Sequence, residues 1–187
     1  MELAELRKII QGIKNQTIMD YQMPNPVGLK KNLIYAFAEA ISKNYREERK
    51  QKNDSIDLFK FVNDIKGVIH CVDTEDYLTS GSIYVHAKEK FDIVIPRFTS
   101  PIRDRFTIAH EIGHYYLHSF AGDKKIWADR KGTGPAECEA NWFAASFLMP
   151  KYLIDKLDEP SSAKIMNAFG VSQEAAEHRL EYYRNQR

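Results

Sequence analysis

Cysteine is scarce in this chain: 187 residues hold two, Cys71 and Cys138. They could form one bridge at most, too little to staple a domain of this size, and they lack the paired spacing of a thiolate zinc site. Both read as reduced thiols of a cytoplasmic protein. Long apolar runs are missing as well. The longest fall far short of the roughly 20 residues that span a bilayer. The first ten residues, Met1 to Ile10, mix Glu, Arg and Lys with Leu and Ile and lack the apolar core of a signal peptide. An excess of one charge is missing too. Lys and Arg number 27 against 26 Asp and Glu, a net charge of +1. No global basic field therefore announces nucleic-acid binding, because neutralising phosphates needs clustered Lys and Arg. Internal repeats and low-complexity segments are also absent.

What is present supports a packed core. Hydrophobic residues make up 43% and aromatic residues 12%, which argues against disorder and for one compact domain over residues 1–187. Residues 1–12 form an amphipathic pattern. Gln22-Met23-Pro24-Asn25-Pro26-Val27-Gly28 is rich in turn formers. Leu33, Phe37, Ala40 and Ile41 recur at helical spacing between Leu29 and about Lys52. The charge run Arg46 to Lys50 reads as a solvated face. A short helix is expected over 57–65, stopped by Gly67, and Val68 to Val72 has β character. Ile83-Tyr84-Val85-His86 and Phe91-Asp92-Ile93-Val94-Ile95 read as an antiparallel hairpin ended by Pro96. Ser100-Pro101 is a helix start, and the helix should run to about Ser119. A linker with Gly122, Gly132, Gly134 and Pro135 leads to a helix from about Ala136 to Leu148. Shorter helices follow over 151–157, 161–169 and 172–184. The pattern is α+β, a small antiparallel sheet among helices.

The chemistry sits at His110-Glu111-Ile112-Gly113-His114. Residues four apart on a helix share a face, so both imidazoles can hold one Zn²⁺ at about 2.0–2.1 Å. Glu111 then projects beside the metal, placed to take a proton from water as general base. With 6 His and 14 Glu in the chain, such a pentapeptide arises by chance roughly once in seventy sequences, so context has to carry the reading. Gly113 is part of that context: it costs about 1 kcal/mol relative to Ala inside a helix, and close approach of another backbone would explain it.

A catalytic zinc needs a third protein ligand. His118 lies eight residues from His110, about 12 Å along a helix, so the three His cannot share one metal. His118 fits a cleft position or a hydrogen bond behind a ligand, and equally well an ordinary histidine near a helix C-terminus. Among Asp123, Asp129, Glu137 and Glu139, Glu137 is preferred. It opens the helix after the Gly-rich connection, with Asn141 one turn later able to orient a ligating His. Glu139 points about 200° away from it on an ideal helix.

Arg105-Phe106-Thr107-Ile108-Ala109-His110-Glu111-Ile112-Gly113-His114 with Leu117-His118, followed by Glu137-Cys138-Glu139-Ala140-Asn141-Trp142-Phe143-Ala144-Ala145-Ser146-Phe147-Leu148-Met149-Pro150, resembles the ImmA/IrrE family of metallo-endopeptidases. Phe169-Gly170-Val171-Ser172 and Arg179-Leu180 look like the family's C-terminal pattern. The resemblance spans about residues 80–150, weakens over 151–184 and says little about 1–55. It implies a zincin-like fold of the gluzincin type with the HExxH helix at its centre. Residues 56–150 would form the catalytic core, between an N-terminal helical region (1–55) and a C-terminal one (151–187). It implies metal ligands His110, His114 and Glu137, general base Glu111, and Zn²⁺ as the metal. A His₂Glu site can also hold Mn²⁺. The implied substrates are helix-turn-helix transcriptional repressors, encoded nearby, whose cleavage derepresses mobile-element or stress genes.

Tyr84, His86, Tyr115 and His118 are candidate donors to the developing oxyanion. The strand at Ile83–His86 is a candidate for pairing with an extended substrate. The tail from Ala163 to Leu180 has a helix–turn–helix outline but no dense basic face, which favours packing over DNA binding. Two further readings stand beside the peptidase: a zinc-bearing regulatory module that binds a repressor without cutting it, disfavoured by the intact Glu111, and a toxin-like partner of an antitoxin.

Overall fold

The computed structural model describes residues 2–15, 18, 20–51, 54–73, 81–97, 99–129 and 134–186. Lys52 and Gly132, placed by the sequence at a helix end and in the glycine-rich connection, lie outside the described residues. In chain order the elements are α1 (Leu3–Lys14), α2 (Lys31–Glu48), α3 (Leu58–Asp64), β1 (Gly67–Val72), β2 (Ser82–Ala87), β3 (Lys90–Pro96), α4 (Pro101–Gly113), β4 (Ile126–Asp129), α5 (Pro135–Leu148), α6 (Lys151–Ile154), α7 (Ser162–Phe169) and α8 (Gln173–Arg184). Local chemistry explains several boundaries. Asp57 caps α3 by accepting from the Lys60 amide, and Ser100 caps α4 by accepting from the Arg103 amide, with Pro101 following. Gly170 ends α7 in the left-handed region, φ 65°.

The sheet departs from expectation. Its order is β1-β3-β2-β4 and it is mixed: β1 runs parallel to β3, whereas β2 pairs antiparallel with both β3 and β4. The expected hairpin is there, but β3 takes the place beside β1, so β1 neighbours the strand that shares its direction. β4 lies in a stretch the sequence reads as linker, because four residues, Ile-Trp-Ala-Asp, are too short for a periodic signal. Its consequence is direct. β2 has a partner on each side, so Ile83–His86 offers no free edge to a substrate.

Side chains alternate across the sheet. Ile83, Val85, Phe91, Ile93 and Ile95 join the main core with α2, α3, α4, α5 and the C-terminal helices. Tyr84, Val94 and Val72 face the other way, onto Leu6, Ile10 and Ile13 of α1. The C-terminal helices are packing elements: Ile165, Phe169, Ala176, Leu180 and Tyr183 enter the main core. Arg179, 1% exposed, donates to Met149 O (2.8 Å) and Glu39 Oε1 (2.7 Å), tying α8 to α2 and to the chain before α6.

Candidate metal centre

α4 brings its last two turns under α5. Ile108, Ala109 and Ile112 bury one face in the core, which carries His110 and Glu111 inward until each is 1% exposed. The helix does not stay α-helical to Ser119. From His114 to His118 it widens into a π-helical turn, with the Ser119 amide donating to His114 O at 3.1 Å. Such turns accumulate at functional sites because they re-aim side chains. Gly113 permits the contact with α5: a Cβ there would stand 3.2 Å from Ala140 Cα, Ala140 O and Phe143 Cβ.

That contact sets Glu137 over the two histidines. Nε2 of His110 lies 3.0 Å from Glu137 Oε2, Nε2 of His114 lies 3.2 Å from Glu137 Oε1, and the two Nε2 atoms are 3.1 Å apart. A tetrahedral zinc with ligand distances near 2.05 Å separates its ligand atoms by about 3.3 Å. The donor set therefore fits the ion in kind, number and spacing, and His110, His114 and Glu137 form a group able to hold a metal. Burial pushes His114 down to about 4, so its imidazole is neutral at pH 7 with a lone pair to give. Burial works against ionisation of Glu137, but its hydrogen bonds to His110 and His114 outweigh it and hold the carboxyl well below the usual range. Glu137 is thus a carboxylate.

Around this group the candidates separate. Asn141 Oδ1 lies 2.9 Å from His110 Nδ1 and orients that ring. His118 reaches not the metal position but the back of His114, Nδ1 to Nδ1 at 2.9 Å. Glu139 faces away from the triad, with Oε2 3.1 Å from His118 Nε2. Glu111 is buried beside His110, and the Gly81 backbone lies against it: a Cβ at Gly81 would be 3.2 Å from Glu111 Oε1 and 2.3 Å from Thr107 Cγ2.

The remaining oxyanion candidates go elsewhere. Tyr84 and His86, being even-numbered on β2, point to the α1 side of the sheet, away from α4. Tyr84 packs among Leu6 and Ile10, and His86 Nε2 bonds Asp92 Oδ2 at 2.9 Å. Tyr115 stacks on Phe91, and its hydroxyl accepts from the Glu89 amide at 3.4 Å, bracing the β2–β3 turn. Sequence reasoning missed Glu139 as a partner of His118 and Gly81 as a neighbour of Glu111. The first had a signal in the buried-face spacing of His118; the second had none beyond a glycine before a strand. A cleft of about 930 Å³ is lined by Asn141, Trp142, Phe106, Arg103, Lys31 and Tyr182 among others; it meets the centre only at Asn141, behind His110, and neither Glu111 nor any of the three prospective ligands lines it.

No curated protein sequence matches the chain. The profile of the IrrE N-terminal-like domain, peptidase family M78, matches residues 68–181. That span covers more than half of the chain and contains the His110, His114 and Glu137 group, and on this ground the chain belongs to the ImmA/IrrE family of metallopeptidases.

Proposed function

We propose that the protein is a zinc-dependent endopeptidase that acts in the cytoplasm on a helix-turn-helix repressor, as one catalytic unit over residues 1–187. The observation that carries the catalytic part is the convergence of two buried imidazoles and an ionised carboxylate, with a second buried carboxylate, Glu111, next to the first ligand. A bound zinc ion supplies Lewis-acid polarisation of a peptide carbonyl and makes water acidic enough to attack near neutral pH. His110, His114 and Glu137 would hold it. Glu111 accepts the proton released as water adds to the carbonyl carbon, then delivers it to the amine nitrogen as the C–N bond breaks. The repressor as substrate follows from family resemblance. Among the described residues no helix is long and apolar enough to cross a membrane.

Elemental analysis paired with a cleavage assay on a co-encoded repressor tests the reading. About one zinc per chain, loss of zinc in Glu137→Ala, and a fall of at least about 100-fold in cleavage for Glu111→Gln with zinc retained is the expected result. A wild type that takes up no zinc from a supplemented buffer overturns it. Zinc uptake without cleavage shifts the function to a regulatory binding module or a toxin-like partner.

A further inference from the structure

We propose that Glu139 and His118 are positioning residues for the metal centre: a carboxylate–imidazole relay that sets the tautomer and the orientation of the ligand His114. The inference rests on the metallopeptidase reading and deepens it.

In the zinc-bound form the hydrogen-bond partners behind His114 assign where each proton sits. Glu139, 4% exposed, accepts the Val27 amide at Oε2 and the Gly28 amide at Oε1, both at 2.8 Å. Backbone amides only donate, so Glu139 serves as acceptor throughout. His118 Nε2, 3.1 Å from Glu139 Oε2, therefore carries a hydrogen and donates it. A neutral His118 then has a bare Nδ1, which must accept. Its partner at 2.9 Å is Nδ1 of His114, so that atom carries the hydrogen. A neutral His114 is left with its lone pair on Nε2, the atom that faces His110 and Glu137. Glu137 Oε1 lies 3.2 Å from the same Nε2 and accepts from it in the metal-free protein, so the assignment is that of the zinc-bound form, in which this nitrogen would give its lone pair to the ion.

The two ligand histidines are held differently. His110 has the neutral Asn141 amide behind it; His114 has a carboxylate acting through a second imidazole. Partners of this kind fix ring orientation and raise ligand basicity, and losing one typically lowers metal affinity 10–100-fold. The same Glu139 anchors the backbone at Val27 and Gly28 ahead of α2, so that segment and the centre share one residue. Burial supports the assignment: His118 is 3% exposed, so no solvent molecule needs to be displaced for the chain of bonds to persist.

Four forms of the full chain test it: wild type, His118→Phe, His118→Asn and Glu139→Gln. Zinc affinity is read by competition with a chromophoric chelator, and ring-nitrogen NMR of zinc-loaded protein reads the tautomers. Circular dichroism of the zinc-free forms checks folding. His118→Phe should lose about 10–100-fold in affinity. His118→Asn places a carboxamide oxygen close to where Nδ1 stood and should recover much of that loss. Glu139→Gln should lose about tenfold. NMR should place hydrogens on Nδ1 of His114 and Nε2 of His118. Should His118→Phe fail to fold, the Asn and Gln variants and the NMR still decide. Wild-type affinity in folded variants, equal losses for Asn and Phe, or a hydrogen on Nε2 of His114 overturns the relay while leaving the peptidase reading intact. A wild type that binds no zinc overturns both.

Discussion

Gly113→Ala sets two magnitudes against each other at one atom. Helix propensity alone favours the alanine by about 1 kcal/mol. The added Cβ, however, would stand 3.2 Å from Ala140 Cα, Ala140 O and Phe143 Cβ. Two of these are backbone atoms and the third is a Cβ, so no side-chain rotation relieves them. Nor can α5 back away cheaply. Its far side is fastened to α2 by Ser42 Oγ donating to Phe147 O at 2.8 Å and Ser146 Oγ donating to Tyr35 O at 2.9 Å. Overpacking of this kind costs about 1–3 kcal/mol, so the net change is a loss of up to about 2 kcal/mol. Any shift of α5 also moves Glu137 and Asn141, and metal–ligand distances tolerate only about 0.2 Å. Zinc affinity should fall with stability. Urea unfolding of the zinc-free protein and chelator competition measure both. A variant stabilised by about 1 kcal/mol with unchanged zinc affinity would mean that propensity wins and that the helix contact does not require glycine.

Two further perturbations probe the frame around the centre. Arg179→Ala removes the buried donor to Glu39 and Met149 O and should cost about 3 kcal/mol in urea unfolding, since Glu39 stays behind without its counter-charge; a loss under about 1 kcal/mol would show that the pair is replaceable by water. On the α1 side of the sheet, Asp92 receives His70 Nε2 at 2.6 Å and His86 Nε2 at 2.9 Å, and Tyr21 bonds His86 Nδ1. Burial opposes ionisation of Asp92, but the hydrogen bonds from His70 and then His86 prevail and bring it down to about 2 from 3.8. A carboxyl lowered in the folded state contributes stability in full above its unfolded value and loses it as pH falls through the folded one. About 2 kcal/mol should therefore vanish between about pH 4 and pH 2. Asp92→Asn should flatten that part of the stability–pH curve. Identical slopes in the two proteins would count against the assignment.

Several features were legible because they depend on short-range periodicity. His110 and His114 share a face through their four-residue spacing alone, Ser100-Pro101 is a helix start by local hydrogen bonding, and the opposed directions of Glu137 and Glu139 follow from helix geometry. Other features depend on which elements meet. Tyr84, His86 and Tyr115 looked available for catalysis, yet the pleat and a ring stack send all three elsewhere. The sheet order could not be read because the strands of a mixed sheet pair with partners far along the chain, and β4 carries too few residues for a pattern. The sequence by itself determined the donor types and the helix that presents two of them. The tertiary structure decided that α5 approaches closely enough, over Gly113, to add Glu137, and that the chain before α2 ends against Glu139. The reason is physical: helical spacing is set by bonds within a few residues, whereas the approach of two helices is set by packing among residues far apart in the chain.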